Sequence, residues 1–260
     1  MIHNTALIDP KAEISSKASI GAFCVIGPNV RIEADVKIHA QVNINGNTTI
    51  GEKTIIYPFA SIGNDPQDLK YNGEKNTLVI GKNNKIRENV TINPGTEGGG
   101  GQTIIGDNCL FMVSSHIAHD CIIGNNIVFA NNVQVGGHVH IEDNVVLGGS
   151  SAIQQFTRIG KLAMIGGMCG VVNDIIPYGI AFGNRCSLHG LNLIGLRRKK
   201  IPNKDILSLS EAYNQIFITK NLSLNLSNLD NKFKENSLVK DVLDFINKDK
   251  KRPICRPHSK

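Results

Sequence analysis

Residues 105–135 read IGDNCLFMVSSHIAHDCIIGNNIVFANNVQV, and a large apolar residue recurs at every sixth position of this stretch. An α-helix repeats every 3.6 residues and a strand every 2, so neither period produces a spacing of six. A parallel β-helix of short strands and sharp corners does produce it, because one large side chain per sextet then points into the interior. The stretch therefore predicts a mainly β fold.

The same spacing extends from Ile8 to Val171 with two interruptions, giving 25 sextets. Gly follows the large apolar residue in eleven of them, which suits a tight corner because Gly has no Cβ. The fourth position after the large residue is small or β-branched in nearly every case. Four cysteines occupy this position, and we expect them to be small core residues rather than redox or metal-binding groups: Cys24, Cys109, Cys121 and Cys169.

The chain changes character near residue 187. Residues 1–186 contain 13 Lys and Arg against 15 Asp and Glu, whereas residues 187–260 contain 15 against 7 and only 2 of the 26 glycines. In this last quarter the apolar spacing becomes helical, first after Asn203 as a predicted N-cap and again over residues 238–246. The sequence predicts a β-helix domain over residues 1–186 and a small helical domain over residues 187–260.

The composition argues against several classes of protein. No apolar run reaches the 18 residues of a membrane span, and the N-terminus lacks the charged-then-apolar pattern of a signal peptide. We therefore expect a cytoplasmic protein with reduced thiols and no membrane span. The net charge of +6 lies wholly in the tail, and an aromatic content of 5% offers no stacking platform, so we expect no nucleic-acid partner.

Two insertions interrupt the repeat. Ile80 follows Ile62 after 18 residues, and Ile105 follows Ile92 after 13, where 6 would suffice. Loops that leave a solenoid usually project on one face and carry functional residues, which we expect of the first insertion, NDPQDLKYNGEK. The second, PGTEGGGGQ, lacks the Lys-Ser/Thr pair and following helix of a phosphate-binding loop. We interpret it as a mobile flap or a subunit contact.

A group of histidines converges if 18 residues form one coil. His119 then lies under Gly137 and Asp120 under His138, while His116 is three residues away along the chain. A His beside a carboxylate is suited to act as a general base, and the amide of Gly137 can face an oxyanion because no side chain shields it. Surface histidines without a function are one alternative. A zinc site of the carbonic anhydrase type is another, although the spacing of three between the first two His differs from the five typical of that group.

The repeat resembles that of the hexapeptide-repeat acyltransferases, which form a left-handed β-helix with three sextets per coil. A more specific set of motifs appears in the order of one branch of that group, the UDP-N-acetylglucosamine O-acyltransferases of lipid A biosynthesis. These motifs cover nearly the whole chain: QDLK at 67–70, HIAHD at 116–120, GH at 137–138, QF at 155–156, GG at 166–167 and NLIGLRR at 192–198.

The resemblance implies transfer of an (R)-3-hydroxyacyl group from acyl carrier protein to the 3-hydroxyl of UDP-N-acetylglucosamine, without a cofactor or metal, by a homotrimer with active sites between neighbouring subunits. It implies that His119 is the general base, that Asp120 orients it and that the Gly137 amide stabilises the oxyanion. By the same resemblance, the substrate-binding residues are Asp68, Lys70, His116, His138, Gln155, Gly167, Asn192 and Arg198. A bare Gly167 at the end of the acyl groove implies a chain of about fourteen carbons.

The chain departs from this family at three positions that bear on nucleotide contacts. Gln154 stands where the family commonly has His, Ile194 where an acidic residue often helps to bind uracil, and Lys199 where a second Arg is common. Three rival functions remain: another hexapeptide acyltransferase that acts on a 3-amino sugar or transfers to nitrogen, a zinc lyase of the carbonic anhydrase type, and a structural or ice-binding β-solenoid. The last would show repeated Thr ladders and no histidine group.

Overall fold

The computed structural model describes residues 1–248 and 251–258, and three parallel sheets form the three faces of a prism. The first face contains Leu7–Ile8, Val25–Ile26, Asn43–Ile44, Ser61–Ile62, Thr91–Ile92, His116–Ile117, Gln134–Val135, Ala152–Ile153 and Gly170–Val171. The second contains Glu13–Ile14, Val30–Ile32, Thr48–Ile50, Thr77–Ile80, Gln102–Ile105, Ile122–Ile123, His140–Ile141 and Arg158–Ile159. The third contains Ser19–Ile20, Lys37–Ile38, Ile55–Ile56, Lys85–Ile86, Leu110–Phe111, Val128–Phe129, Val146–Leu147, Met164–Ile165 and Gly179–Phe182, and Ser187–Leu191 pairs antiparallel to its last strand.

Each strand aligns with the strand one coil away so that the large apolar residues stack on one another. Ile117 pairs in register with Ile92 on one side and with Val135 on the other, and all three are fully buried. The four cysteines predicted to be core residues are buried as expected. Burial raises the pKa of the Cys109 thiol to about 11 and that of Cys121 to about 12, so these thiols remain protonated core groups.

The corners between the strands repeat a single backbone device. We call the corner between the first and second faces the first corner, and the corners that follow it along the chain the second and third. At the first corner, Asp120, His138 and Phe156 have φ values of 59°, 59° and 65°, a left-handed conformation that Asp and His adopt more readily than most residues. These three residues are 18 apart, so the first corner presents one column of turn side chains.

Both insertions occur at the first corner, in consecutive coils. The first leaves the prism after Ser61–Ile62 and returns at Thr77–Ile80, and the second leaves after Thr91–Ile92 and returns at Gln102–Ile105. The second contains a 3₁₀ helix, Glu97–Gly99. Because the next strand of the first face is His116–Ile117, the two loops lie directly below the corner formed by His119 and Asp120.

Helices follow the last strand: α1 (Leu193–Arg198), α2 (Asn203–Ile216), α3 (Leu222–Ser227), a 3₁₀ helix (Asn231–Glu235) and α4 (Ser237–Lys248). The predicted helical stretches correspond to α2 and α4, but the N-cap of α2 is Pro202 rather than Asn203, which is its first helical residue. Asn203 therefore does not cap this helix, and no side chain does. The described helices are too short and too polar to cross a bilayer.

Buried and half-buried polar contacts attach α4 to the β-helix. The Arg158 guanidinium lies 2.7 Å from Asp174 Oδ2 and donates to the Phe245 carbonyl of α4 at 3.0 Å. Nearby, Asp241 accepts a hydrogen bond from the Tyr178 hydroxyl and forms an ion pair with Lys161 at 2.8 Å.

The structure confirms the predicted fold class, a parallel β-helix of hexapeptide repeats followed by helices. The division of the chain at residue 186 stays a prediction, and residues 249, 250, 259 and 260 of the predicted helical domain lie outside the described part of the chain.

Candidate active site

His119 and Asp120 form a hydrogen-bonded pair at the first corner. His119 Nδ1 lies 2.7 Å from Asp120 Oδ2, and the two side chains are 11% and 0% exposed. A carboxylate can only accept, so His119 carries a proton on Nδ1 and leaves Nε2 as the free basic nitrogen of the neutral ring. Nε2 lies 4.0 Å from Asp68 Oδ2 of the first inserted loop. The arrangement therefore presents a basic nitrogen to the space between the corner and that loop.

Thr96 of the second inserted loop also contacts Asp120. Its backbone N–H donates to Asp120 Oδ1 at 2.8 Å and its hydroxyl donates to Oδ2 at 2.6 Å. Gly99 of the same loop lies so close that a Cβ there would overlap the carboxylate. The interpretation of this loop as a mobile flap or subunit contact did not include this contact: Thr96 is only 4% exposed and is bonded to Asp120.

Gly137 packs directly against the ring of His119. A Cβ on Gly137 would lie 2.6 Å from His119 Cε1 and 2.8 Å from Nε2, so any side chain here would displace the imidazole. Within residues 1–248 and 251–258, no group accepts a hydrogen bond from the Gly137 N–H. A buried amide without a partner is costly, which makes this N–H available to an oxygen of a bound substrate.

Three further aromatic rings lie at the first corner or on the first face beside it. His138 packs edge-on against His119 with centroids 5.0 Å apart and stacks on Phe156 at 4.4 Å. His116 lies on the first face, with its Nδ1 2.7 Å from Thr91 Oγ1. Burial lowers the pKa of both His116 and His138, and the neighbouring His119 lowers both further, while the Asp120 carboxylate offsets part of the shift at His138. Burial thus disfavours the protonated form of both rings.

A cavity of about 530 Å³ opens between the first corner and the two inserted loops. Asp68, Lys70 and Glu74 of the first loop line it, together with Thr96 of the second loop and His138. A hydrogen bond of 3.3 Å from the Glu97 N–H to Glu74 Oε1 joins the two loops. The predicted residues Asp68 and Lys70 thus share one cavity with His138 of the predicted histidine group.

Three other predicted residues lie elsewhere on this chain. The Asn192 amide donates to the Leu162 carbonyl at the second corner at 2.9 Å and caps α1 by accepting from the Gly195 N–H. Arg198 is exposed at the end of the same helix. Gly167 is exposed at the third corner, where a Cβ would lie 3.2 Å from the Gly149 carbonyl oxygen. Within one chain, none of the three is at the first corner.

Gln155 does lie at the first corner, one coil above Gly137, and it is exposed. Its backbone carbonyl accepts a hydrogen bond from Arg252 Nε at 3.1 Å. Two of the departures from the family pattern lie on or near α1. Ile194 is 62% exposed on α1, and Lys199 Nζ lies 2.6 Å from Asn144 Oδ1 at the second corner.

The geometry also bears on the zinc alternative. His119, Asp120 and His138 offer ligand atoms that lie within 4.8 Å of one another, whereas His116 is not part of this group. The three-histidine site of the zinc alternative is therefore replaced by two histidines and a carboxylate. In addition, both Asp120 oxygens already accept hydrogen bonds, and Nδ1 of His119 is occupied by Asp120.

Sequence comparisons relate both parts of the chain to known families. Residues 174–255 match the family described as UDP-N-acetylglucosamine O-acyltransferase, domain 2, and residues 29–64 and 102–137 match the bacterial transferase hexapeptide family. An acyl-[acyl-carrier-protein]–UDP-N-acetylglucosamine O-acyltransferase of Paracoccus denitrificans is 45% identical over 206 residues, which cover 78% of this chain and 77% of the relative.

Solved structures show the same likeness over the full length. A crystal structure of a UDP-N-acetylglucosamine acyltransferase matches with a TM-score of 0.95 and 42% identity, covering 100% of both chains. The UDP-N-acetylglucosamine O-acyltransferase of Moraxella catarrhalis matches with a TM-score of 0.94 and 43% identity, covering 98% of this chain and 99% of that one. The similarity therefore includes the helices as well as the β-helix.

Proposed function

This chain belongs to the UDP-N-acetylglucosamine O-acyltransferase family, and from that membership we propose that it transfers an (R)-3-hydroxyacyl group from acyl carrier protein to the 3-hydroxyl of UDP-N-acetylglucosamine. We propose His119 as the general base. The observation that carries this assignment is the 2.7 Å contact between His119 Nδ1 and Asp120 Oδ2, which leaves Nε2 free to accept a proton.

The proposed reaction proceeds by direct attack on the thioester. His119 Nε2 removes the proton of the sugar hydroxyl as its oxygen bonds to the thioester carbonyl carbon. The carbonyl oxygen becomes an oxyanion, which the unpartnered Gly137 N–H would stabilise. When the oxyanion collapses, the carbon–sulfur bond breaks and the imidazolium returns its proton to the leaving thiolate. Asp120 stabilises that imidazolium without taking up the proton.

The remaining site residues are proposed to bind substrate. Asp68 and Lys70 on the first loop would contact the sugar, with the rings of His116 and His138 beside them. Gln155 would contact substrate one coil above. Asn192 and Arg198 would hold the nucleotide, since the planar guanidinium of an Arg suits a diphosphate. The exposed Gly167 would leave the acyl groove long enough for about fourteen carbons.

We also propose a homotrimer, which the placement of these residues supports. His119 is at the first corner, Asn192 and Arg198 are anchored near the second, and Gly167 is at the third. One chain cannot bring three corners of a prism to one substrate, so a complete site needs a neighbouring chain. We propose that the first corner of each subunit faces the second and third corners of its neighbours.

The general-base assignment is tested with metal-stripped protein, UDP-N-acetylglucosamine and 3-hydroxyacyl carrier protein. We expect transfer to survive metal removal and to fall about 10²–10⁴-fold in His119→Ala, which removes the base. His140→Ala is the matched control, because His140 is a half-buried His on the second face and does not line the cavity between the first corner and the inserted loops. Activity that requires added zinc would favour a metal site at His119, Asp120 and His138 instead. Full activity in His119→Ala would overturn the assignment.

The shared site is tested by complementation. His119→Ala and Arg198→Ala homotrimers are each expected to be poorly active. Mixed trimers formed by co-refolding would contain some sites with an intact His119 from one chain and an intact Arg198 from another. Recovered activity in the mixture supports a site between subunits, whereas activity equal to the average of the two parents contradicts it.

A further inference from the structure

The carboxylate of Asp120 lies between two imidazoles that can both bind it. Its Oδ2 is 2.7 Å from Nδ1 of His119 and 3.8 Å from Nδ1 of His138. A rotation that turned this oxygen towards His138 would lengthen its contact with His119. Such a rotation would leave His119 without the partner that keeps its proton on Nδ1.

The glycine-rich loop prevents this rotation by holding both oxygens. The Thr96 N–H donates to Oδ1 and the Thr96 hydroxyl donates to Oδ2, so the plane of the carboxylate has two fixed points besides His119. Gly99 closes the third side, because its Cα lies where any Cβ would overlap the carboxylate. The side chains of Thr96 and Asp120 are both buried, so water does not compete for these hydrogen bonds.

We propose that Thr96 and Gly99 form a clamp that assigns Asp120 to His119 rather than to His138, which makes Thr96 a positioning residue for the base. This inference rests on the proposed role of His119. In a clamped carboxylate, the ring orientation and tautomer of His119 are set before substrate binds, which is the preorganisation that general-base catalysis needs. Thr96 itself touches Asp120 and acts through it.

The loop does not depend on the Thr96 hydroxyl for its own shape. Its backbone is held by a hydrogen bond of 2.8 Å from the Gly101 N–H to the Thr96 carbonyl and by another of 2.8 Å from the Thr77 N–H to the Gly101 carbonyl. Thr96→Val keeps these contacts, the N–H to Oδ1 and the volume of the side chain. The variant therefore removes one donor from Asp120 while leaving the loop in place.

The first experiment compares Thr96→Val with Thr96→Ser, which restores the hydroxyl. We expect kcat of Thr96→Val to fall about 10- to 100-fold, as for a catalytic group displaced by about 1 Å, and KM for UDP-N-acetylglucosamine to change little. Thr96→Ser should recover most of kcat. Equal kcat values in wild type, Val and Ser variants would overturn the proposal, as would loss in both variants to the same extent.

The second experiment does not use acyl transfer. Protein labelled with ¹⁵N at histidine should show a protected Nδ1–H for His119, since that proton is buried against Asp120. The signal should weaken or move in Thr96→Val and return in Thr96→Ser. A signal that is identical in all three proteins would contradict the clamp whether or not His119 proves to be the base, so the two hypotheses can fail separately.

Two loop glycines provide a matched steric pair. Gly99→Ala should change the His119 signal, because the new methyl group has to displace the Asp120 carboxylate. Gly98→Ala adds the same methyl group at the preceding residue, where no atom lies within 4 Å of the new carbon. This variant should leave the His119 signal as in wild type. The same response in both variants would show that the loop is merely sensitive to substitution and would overturn the role of Gly99.

Discussion

At the scale of single residues, the candidate site depends on the absence of a side chain at Gly137 as much as on the side chains of His119 and Asp120. Gly137 has no Cβ because the His119 ring occupies that space, and its N–H has no acceptor among the described residues. Asp120 and His138 both adopt a left-handed backbone conformation, with φ values of 59°. The proposed chemistry at this corner therefore constrains residue size and backbone conformation as well as the choice of the general base.

The histidines of the site make the stability of the fold depend on pH. Burial lowers the pKa of His116 below its ordinary value of 6.5, so below about pH 6.5 the unfolded chain binds protons that the folded chain does not. The free energy of unfolding should fall as pH drops through this range. His116→Gln should lose less stability than wild type between pH 7.5 and 5.5 in denaturant titrations. Equal losses would contradict the assigned shift.

Chain-length selection is a prediction about a single glycine. Gly167→Met should shift the preferred donor to shorter acyl chains, because the new side chain would occupy the proposed end of the groove. Gly167→Ala adds only one methyl group, whose carbon would lie 3.2 Å from the Gly149 carbonyl oxygen. This variant should therefore shift the donor preference less than Gly167→Met does. The measurement is kcat/KM with donors of 10 to 16 carbons. Unchanged selectivity in Gly167→Met would contradict the assignment.

At the scale of elements, α4 is attached to the prism through polar groups, in contrast to the apolar interior of the coils. Arg158 lies on the second face and contacts Asp174, the Phe245 carbonyl and the Phe245 ring. The centroid of that ring is 4.3 Å from the guanidinium carbon. A buried ion pair of this kind adds little net stability compared with an apolar substitute, but losing one partner is costly. The junction is therefore specific and sensitive to single changes.

Arg158→Leu should destabilise the protein by about 3–5 kcal/mol, because it removes the guanidinium that pairs with the buried Asp174 carboxylate. Hydrogen exchange should show earlier opening of α4 than of the coils. Arg31→Leu is the control, since its ion pair with Glu33 has side chains 59% and 33% exposed and should contribute about 0–1 kcal/mol. The measurement is urea unfolding, and similar losses in both variants would contradict this account.

At the scale of the whole molecule, charge is divided between the two parts of the chain. The excess of basic over acidic residues lies in residues 187–260, and Arg197, Arg198, Lys199 and Lys200 are all exposed at its start. A basic surface attracts an acidic partner from a distance and raises the association rate at low salt. We therefore expect part of this surface to steer acyl carrier protein.

Reversing the charges of Lys199 and Lys200 to Glu should raise KM for acyl carrier protein at low ionic strength. The effect should shrink at high salt, since screening shortens the range of the attraction to about 10 Å at 0.1 M. Reversing Lys11 and Lys17 at the other end of the β-helix changes the net charge equally and should have little effect. A change in KM that does not depend on salt would contradict steering.

Much of this molecule was predictable because its fold is periodic. A large apolar residue at every sixth position defines strands, corners and interior at once, so the core cysteines and the convergence of His119, Gly137 and His138 followed from counting. The sequence could also have placed both insertions at one corner, because Ile62, Ile92 and Ile117 occupy equivalent positions in consecutive coils. The prediction of Asn203 as the N-cap of α2 was wrong, because that helix begins after a proline, without a side-chain cap.

Residue spacing along the chain is enough to specify the β-helix, the helical tail and the pairing of His119 with Asp120, because each of these depends on local spacing or on one fixed repeat. The contacts by which Thr96 and Gly99 hold Asp120 and Arg158 anchors α4 are visible only in the folded chain. The inserted loops and the tail have no period, so no spacing rule relates their atoms to the coils. Their contacts depend on how those segments pack against the prism, which is a property of the folded chain.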